Sequence, residues 1–243
     1  MPAFSETGHA KNIANFQTLI SFAEGYGAAY NPSKNALTLG ALNTLLRDAQ
    51  AKLADVISKN STFNNAVNNR ILEFSTLNPL ATRAINALQA TEATKETIKD
   101  AKSLHRKLQG KRTAQPPVSV DPNAPAPNTI SVSQLSYDQK IQHLARLIAV
   151  LETERSYSPN ETDLTISGLT AKKENLIAKN LEVMNTHTAV SNSRIDRNNT
   201  LYNPENGLVD MASEVKKYIK SVFGSASPQY NQVKGLQIKM IKD

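Results

Sequence analysis

The chain has 243 residues, a mass of 26.5 kDa and a formal charge of +7, and it contains neither cysteine nor tryptophan. The lack of cysteine excludes disulfides, thiol catalysis and cysteine-ligated zinc sites. Aromatic residues reach only 5% and glycines number nine, which favours helices packed through Leu, Ile, Val and Ala over a turn-rich β fold. A pI near 9.5 permits a polyanionic partner without requiring one.

The chain carries no recognisable export or membrane signal. Its first residues, MPAFSETGHAKN, lack the basic segment and the apolar run of a secretory signal. No stretch approaches the roughly 18 apolar residues that a membrane-spanning helix needs. We therefore expect a cytoplasmic protein that does not insert into a membrane.

The first predicted helix lies in AKNIANFQTLISFAEG. Four apolar residues there follow the i, i+3, i+6, i+7 spacing of a single helix face: Ile13, Phe16, Leu19 and Ile20. The NPSKN segment that follows is typical of a turn with an N-cap, which either Ser33 or Asn35 could provide.

The run from Asn35 to Leu77 contains no proline and a single glycine, so it predicts a long second helix. Some forty helical residues would extend about 60 Å, although KNSTFNN is a plausible interruption. Spacings of three and four residues mark a coiled-coil-like seam through this run, with two polar members. The seam consists of Leu46, Ala49, Leu53, Val56, Asn60, Phe63, Val67, Arg70, Phe74 and Leu77.

The third segment, PLATRAINALQATEATKETIKDAKSLHRKLQGKR, completes a predicted antiparallel bundle. Its basic residues Lys95, Lys99, Lys102 and Arg106 have i, i+4, i+7, i+11 spacing and therefore share one helix face, with Lys107 beside them. Such a face can bind nucleic-acid phosphates or anionic lipid headgroups, although a run of charges more often simply faces water.

A proline-rich joint follows, Lys111 to Gln134, with five of the eleven prolines. Such a composition is typical of an extended spacer between folded pieces. We predict a linker over 111–134 between a helical unit at 1–110 and a second one at 135–243.

The second half repeats the pattern of the first. YSPNETDLTI at 157–166 echoes YNPSKNALTL at 30–39, and Asn160 or Thr162 is the matching cap candidate. The first amphipathic face recurs as Ile141, Leu144, Leu147 and Ile148. We therefore expect an all-α fold of two related antiparallel helical units that arose by internal duplication, each containing a long helix.

The duplication also pairs individual polar residues. AVNNRI and AVSNSRI place Arg70 and Arg194 at equivalent points, either as anion-binding arginines or, as we prefer, as half-buried structural arginines. Lys216, Lys217 and Lys220 occupy an end-of-unit position comparable with that of the basic face at 95–112.

No catalytic pattern emerges from the sequence. The four histidines, His9, His105, His143 and His187, form neither an HExxH motif nor an i, i+4 pair. Phosphate-binding GxxxxGK[ST] and nucleophilic GxSxG motifs are also missing. We expect no enzyme activity, no cofactor and no metal, although a site assembled from scattered residues stays open as an alternative.

The segments that carry a resemblance to other proteins are SYSPNETDL, SNSRI and GLVDMASEVKKYIKSVFG. Most of the chain resembles uncharacterised bacterial proteins that are built as tandem helical duplications with a proline-rich joint. The resemblance implies an all-helical fold and no particular activity.

Two functional hypotheses follow. The first is a structural or scaffolding protein whose helical faces bind copies of itself or another protein, as the seam and the duplication suggest. The second is a nucleic-acid-associated protein that uses the basic faces around 95–112 and 216–220. Binding that weakens steeply with salt would distinguish the second from the first.

Overall fold

The computed structural model describes residues 8–111 and 135–241. These residues form helices and no strand, which confirms the all-α prediction for the described part of the chain. None of the helices in these two ranges is long and apolar enough to cross a membrane. The predicted spacer at 111–134 lies, except for Lys111, outside the described residues.

The helices follow one another as α1 (His9–Gly25), α2 (Leu39–Ser75), α3 (Leu77–Gln89), α4 (Lys95–Leu108), α5 (Tyr137–Thr153), α6 (Ile166–Tyr202), α7 (Leu208–Phe223) and α8 (Pro228–Lys234). Helices α2 and α6 each have 37 residues without a break, so the asparagine-rich stretches do not interrupt them. The third predicted segment is two helices, because the chain turns after Gln89 and the Thr94 hydroxyl caps α4 by accepting from the Thr97 amide.

The caps of the two long helices differ from those predicted. Helix α2 begins at Leu39, and the Thr38 hydroxyl accepts from the Ala41 amide. Helix α6 begins in the same way, with Thr165 accepting from the Gly168 amide at 3.0 Å. The proposed caps Ser33, Asn35, Asn160 and Thr162 precede these positions because each long helix is reached through a further short turn.

The described residues divide into two compact units, and each unit draws on both halves of the sequence. The first combines residues 8–63 with 186–241, and the second combines 64–111 with 135–185. This division differs from the predicted boundaries 1–110 and 135–243, because it cuts within α2 and α6 and not at the proline-rich joint.

The core of the first unit is built on α1. All four predicted apolar residues of this helix are buried, at 0–5% exposure. They join residues of α2, α6, α7 and α8 in one cluster that includes Leu42, Ala49, Leu201, Leu208, Val215, Ile219 and Val233. Each such side chain contributes about 1.5–3 kcal/mol when it is fully buried.

The core of the second unit is built on α5 in the corresponding way. Ile141, Leu144, Leu147 and Ile148 are buried, as predicted from their spacing. They join residues of α2, α3, α4 and α6 that include Phe74, Leu77, Leu88, Ala101, Leu108, Leu169 and Leu176. The seam predicted for α2 also faces inward, since all of its members are buried or half-buried.

Candidate interaction surfaces

Helix α4 presents a ridge of positive charge. The side chains of Lys95, Lys99, Lys102 and Arg106 are exposed, and they line an open groove together with Gln89, Ile98 and His105. None of the four forms an ion pair with a carboxylate in the described ranges. At 1.5 Å per residue the four charges extend over about 16 Å of helix. This spacing of unpaired cations suits a polymer of phosphates better than a single small anion.

The neighbours of the ridge add little charge to it. The Nε2 atom of His105 lies 3.0 Å from the Thr82 hydroxyl and 3.0 Å from the Gln109 amide nitrogen. Burial, followed by the nearby Lys111, lowers the pKa of His105, which keeps it neutral near pH 7. Lys107 is exposed but does not line the groove.

The three lysines of α7 do not form a single exposed surface. Lys216 is half-buried and donates to the backbone carbonyl of Leu236 at 2.5 Å, and burial lowers its pKa. It therefore contacts the C-terminal segment, an arrangement that the sequence did not indicate. Lys217 and Lys220 are exposed, and the Lys220 ammonium lies 5.7 Å from the ring centre of Tyr230.

Arg70 is a structural arginine of the second unit. Its guanidinium stacks 4.0 Å above the ring of Tyr137. Its Nη1 donates to Asn180 Oδ1 at 3.0 Å, and the Asn180 amide donates to Asp138 at 2.8 Å. These contacts tie α2 to α5 and α6 and favour the structural interpretation over anion binding.

Arg194, the predicted equivalent of Arg70, is exposed. The bounds of α2 and α6 differ by a constant 127 residues, which aligns Arg70 with Arg197. Arg197 is only 6% exposed, and its Nε and Nη2 donate to Asn198 at 3.0 and 2.7 Å. The pairing of NNRI with NSRI implies an offset of 124 residues, three fewer than the helix bounds give.

Helix α6 carries an apolar stripe that the sequence interpretation missed. Ile177, Leu181 and Met184 are 44%, 51% and 59% exposed, and their i, i+4, i+7 spacing places them on one face. In the same unit α2 exposes Ile71 and Leu72, at 50% and 67%. The signal was present in the sequence as a second apolar stripe beside the core-facing Leu169, Leu176 and Val183.

His143 is buried against the core, with 1% of its surface exposed. Neither ring nitrogen has a hydrogen-bond partner among the described residues. Burial lowers its pKa, and Lys107 and Arg146 lower it further. No group of three or more His, Asp or Glu side chains within 8–111 and 135–241 is arranged to hold a metal ion.

Comparison of the chain with protein-family models, with curated proteins and with solved structures found no match. The resemblance to tandem-duplicated helical proteins therefore stays a prediction, and the surfaces described above are the basis for any functional proposal.

Proposed function

We propose that this protein is a non-enzymatic scaffold that associates with further copies of itself through the apolar stripe of α6. The observation that carries the proposal is the exposure of Ile177, Leu181 and Met184 on one helix face. Exposed apolar side chains that line up in this way mark interaction sites more often than isolated ones do.

The charges beside the stripe favour a second copy as the occupant. Lys179 and Glu182 are the two charged residues between Asn175 and Val190, and they pair with each other at 2.9 Å. The stripe thus lies in a locally neutral region of a chain whose net charge is +7. Two like-charged copies can approach there without the repulsion that the α4 ridge would cause.

The spacing of the stripe also suits a two-fold contact. In an antiparallel pair of α6 helices, Leu181 would lie close to its own counterpart, with Ile177 near Met184. Such an isologous arrangement uses the same patch on both copies. The exposed Ile71 and Leu72 of α2 offer further apolar area for an assembly.

Introducing charge into the stripe should reduce the solution mass. We expect the double variant Ile177→Lys, Leu181→Lys to shift the protein to the monomer mass of 26.5 kDa, because two cations would have to be buried in the contact. The matched control is Ala171→Lys with Asn175→Lys, which adds the same charge at exposed positions of α6 that lie outside the stripe. Light scattering coupled to size exclusion measures both, and equal masses for variant and control would contradict the proposal.

We propose nucleic-acid binding through α4 as the second candidate function. Its support is the unpaired ridge of Lys95, Lys99, Lys102 and Arg106. Residues 95–111 contain six basic and two acidic side chains, and the ridge itself contains no carboxylate. The lining of the groove includes no Phe, Tyr or Trp ring for base stacking, so recognition would rest on phosphates and would be independent of sequence.

Neutralising the ridge should abolish salt-dependent binding. For four phosphate contacts we expect log K to fall with log salt at a slope of about −3 to −4. Changing all four ridge residues to Gln should remove most of that slope, as measured by fluorescence anisotropy with a labelled oligonucleotide. The control changes Lys34, Lys52, Lys59 and Lys179 to Gln, an equal loss of charge at lysines that already pair with carboxylates. Equal weakening by both variants would leave only the net charge as the cause and refute an α4 site.

We also propose that the chain arose by internal duplication, which would suit repeated contacts in an assembly. The hydroxyl of Tyr30 donates to the carbonyl of Leu37 at 2.8 Å, and Tyr157 donates to Leu164 at the same distance. Buried residues of α3 recur in α7 at a constant spacing of 131: Leu77 and Leu208, Ala81 and Ala212, Ala84 and Val215, Leu88 and Ile219. These repeated details support a common ancestor for the two halves.

A further inference from the structure

We infer that the two halves of this chain, residues 8–111 and 135–241, are complementary binding partners, so that the first half of one copy can bind the second half of another. The inference goes beyond the proposed scaffold function, because it concerns the cores of the units and not the stripe on α6. Its basis is that each compact unit is composed of helices from both halves.

In the first unit, the contacts between halves are apolar, aromatic and polar. Helix α1 packs on α7 and α8, which belong to the other half. The rings of Tyr30 and Tyr218 meet edge to face, with centres 5.3 Å apart. Asn12 is 3% exposed, and its amide group donates to the Lys239 carbonyl at 2.6 Å and accepts from the Lys239 amide at 3.1 Å. Without the second half, this buried side chain would lose both hydrogen bonds to Lys239, and α1 would lose its contacts with α7 and α8.

In the second unit, too, helices from different halves of the chain contact each other. Helix α4 packs on α5, which belongs to the other half. This is the most extensive contact between any two described elements. The ring centres of Phe74 and Tyr137 are 4.6 Å apart, and Arg83 binds Asp163 through two contacts of 2.5 and 3.1 Å. Both contacts join the first half to the second. The core of this unit is therefore an interface between the halves.

The ends of the proline-rich joint lie side by side within the second unit. A β-carbon added to Gly110 would lie 2.7 Å from a terminal methyl carbon of Leu135. The covalent connection therefore joins positions that are neighbours in the folded chain. A half from another copy can satisfy the same contacts, which is the condition for domain exchange.

Cleavage of the joint in the folded full-length chain tests the interface between halves. A site-specific protease sequence is inserted between Pro122 and Pro127, in the Ile177→Lys, Leu181→Lys background so that the α6 stripe does not contribute. After cleavage we expect one species with the mass of the intact chain, 26.5 kDa, that unfolds in a single cooperative transition. Separation into two species of about half that mass under native conditions would overturn the inference.

Refolding a mixture tests exchange between copies. Tagged intact chain and the cleaved, untagged protein are unfolded together in urea, refolded and recovered through the tag. We expect untagged halves to be recovered with the tagged chain. A Leu144→Asp change in the cleaved second half should abolish the recovery of that half, whereas Leu144→Met should preserve it. Leu144 is fully buried, so only a native core distinguishes these two substitutions. No recovered halves, or equal recovery of the Asp and Met forms, would refute exchange.

Discussion

Replacing Gly168 with alanine is expected to lower the free energy of unfolding by about 3 kcal/mol, at the upper end of the usual cost of overpacking. Gly168 lies in the first turn of α6, where the preceding turn passes directly over it. A β-carbon there would lie 2.2 Å from the Thr162 carbonyl oxygen and 3.0 Å from the α-carbon of Asp163. These neighbours are backbone atoms, so relief of the clash requires the turn itself to move.

Gly40 provides the matched control in the first turn of α2. A β-carbon at Gly40 would have no atom within 4 Å, so Gly40→Ala should stabilise the protein by about 0.5–1 kcal/mol through the lower entropy of the unfolded chain. Urea unfolding followed by circular dichroism measures both variants. A Gly168→Ala protein as stable as the Gly40→Ala protein would contradict the close approach of the turn to α6.

Replacing His143 with leucine is expected to raise the free energy of unfolding by about 1–3 kcal/mol at pH 7, since a buried polar group without a partner carries a penalty of that size. The ring is 1% exposed and neither nitrogen is hydrogen-bonded to a described residue. Leucine fills most of the same space without polar atoms. Unfolding in urea gives the comparison, and a clear loss of stability would show that the imidazole makes a favourable contact.

The same substitution should flatten the dependence of stability on pH. The pKa of His143 is lowered in the folded protein from its usual value of 6.5, so the unfolded chain takes up the proton first as the pH falls. Stability is therefore complete above about pH 6.5 and declines from there down to the folded pKa. His143→Leu should reduce this decline between pH 7.5 and 5.5, and His105, whose pKa is also lowered, should account for a remaining slope. The exposed His187→Gln variant is the control, and an equal slope in both variants would exclude His143 as the cause.

Periodicity predicted the helices because local spacing decides which face is buried. The four apolar residues of α1 and the four of α5 are all in the cores, and both long helices are continuous. The helices on which these apolar faces pack could not be predicted from spacing. Nothing in the spacing of α1 indicates that it packs on α7 and α8 of the other half as well as on α2 of its own half.

The candidate surfaces were predictable to the extent that they depend on one helix alone. The spacing of Lys95, Lys99, Lys102 and Arg106 correctly placed them on one exposed face. The hydrogen bond of Lys216 could not be predicted, because its partner, the Leu236 carbonyl, belongs to a segment that returns to α7 only in the folded chain. The α6 stripe was overlooked because an apolar residue on a helix is ordinarily assigned to the core.

The solution mass of the full-length protein tests the scaffold proposal most directly. Nuclease-treated protein would be measured by light scattering coupled to size exclusion, at low and at high salt. We predict a defined oligomer or polymer that persists at high salt, since apolar contacts between α6 stripes are not screened. A mass of 26.5 kDa at every salt concentration would contradict self-association and make the basic ridge of α4 the leading candidate surface.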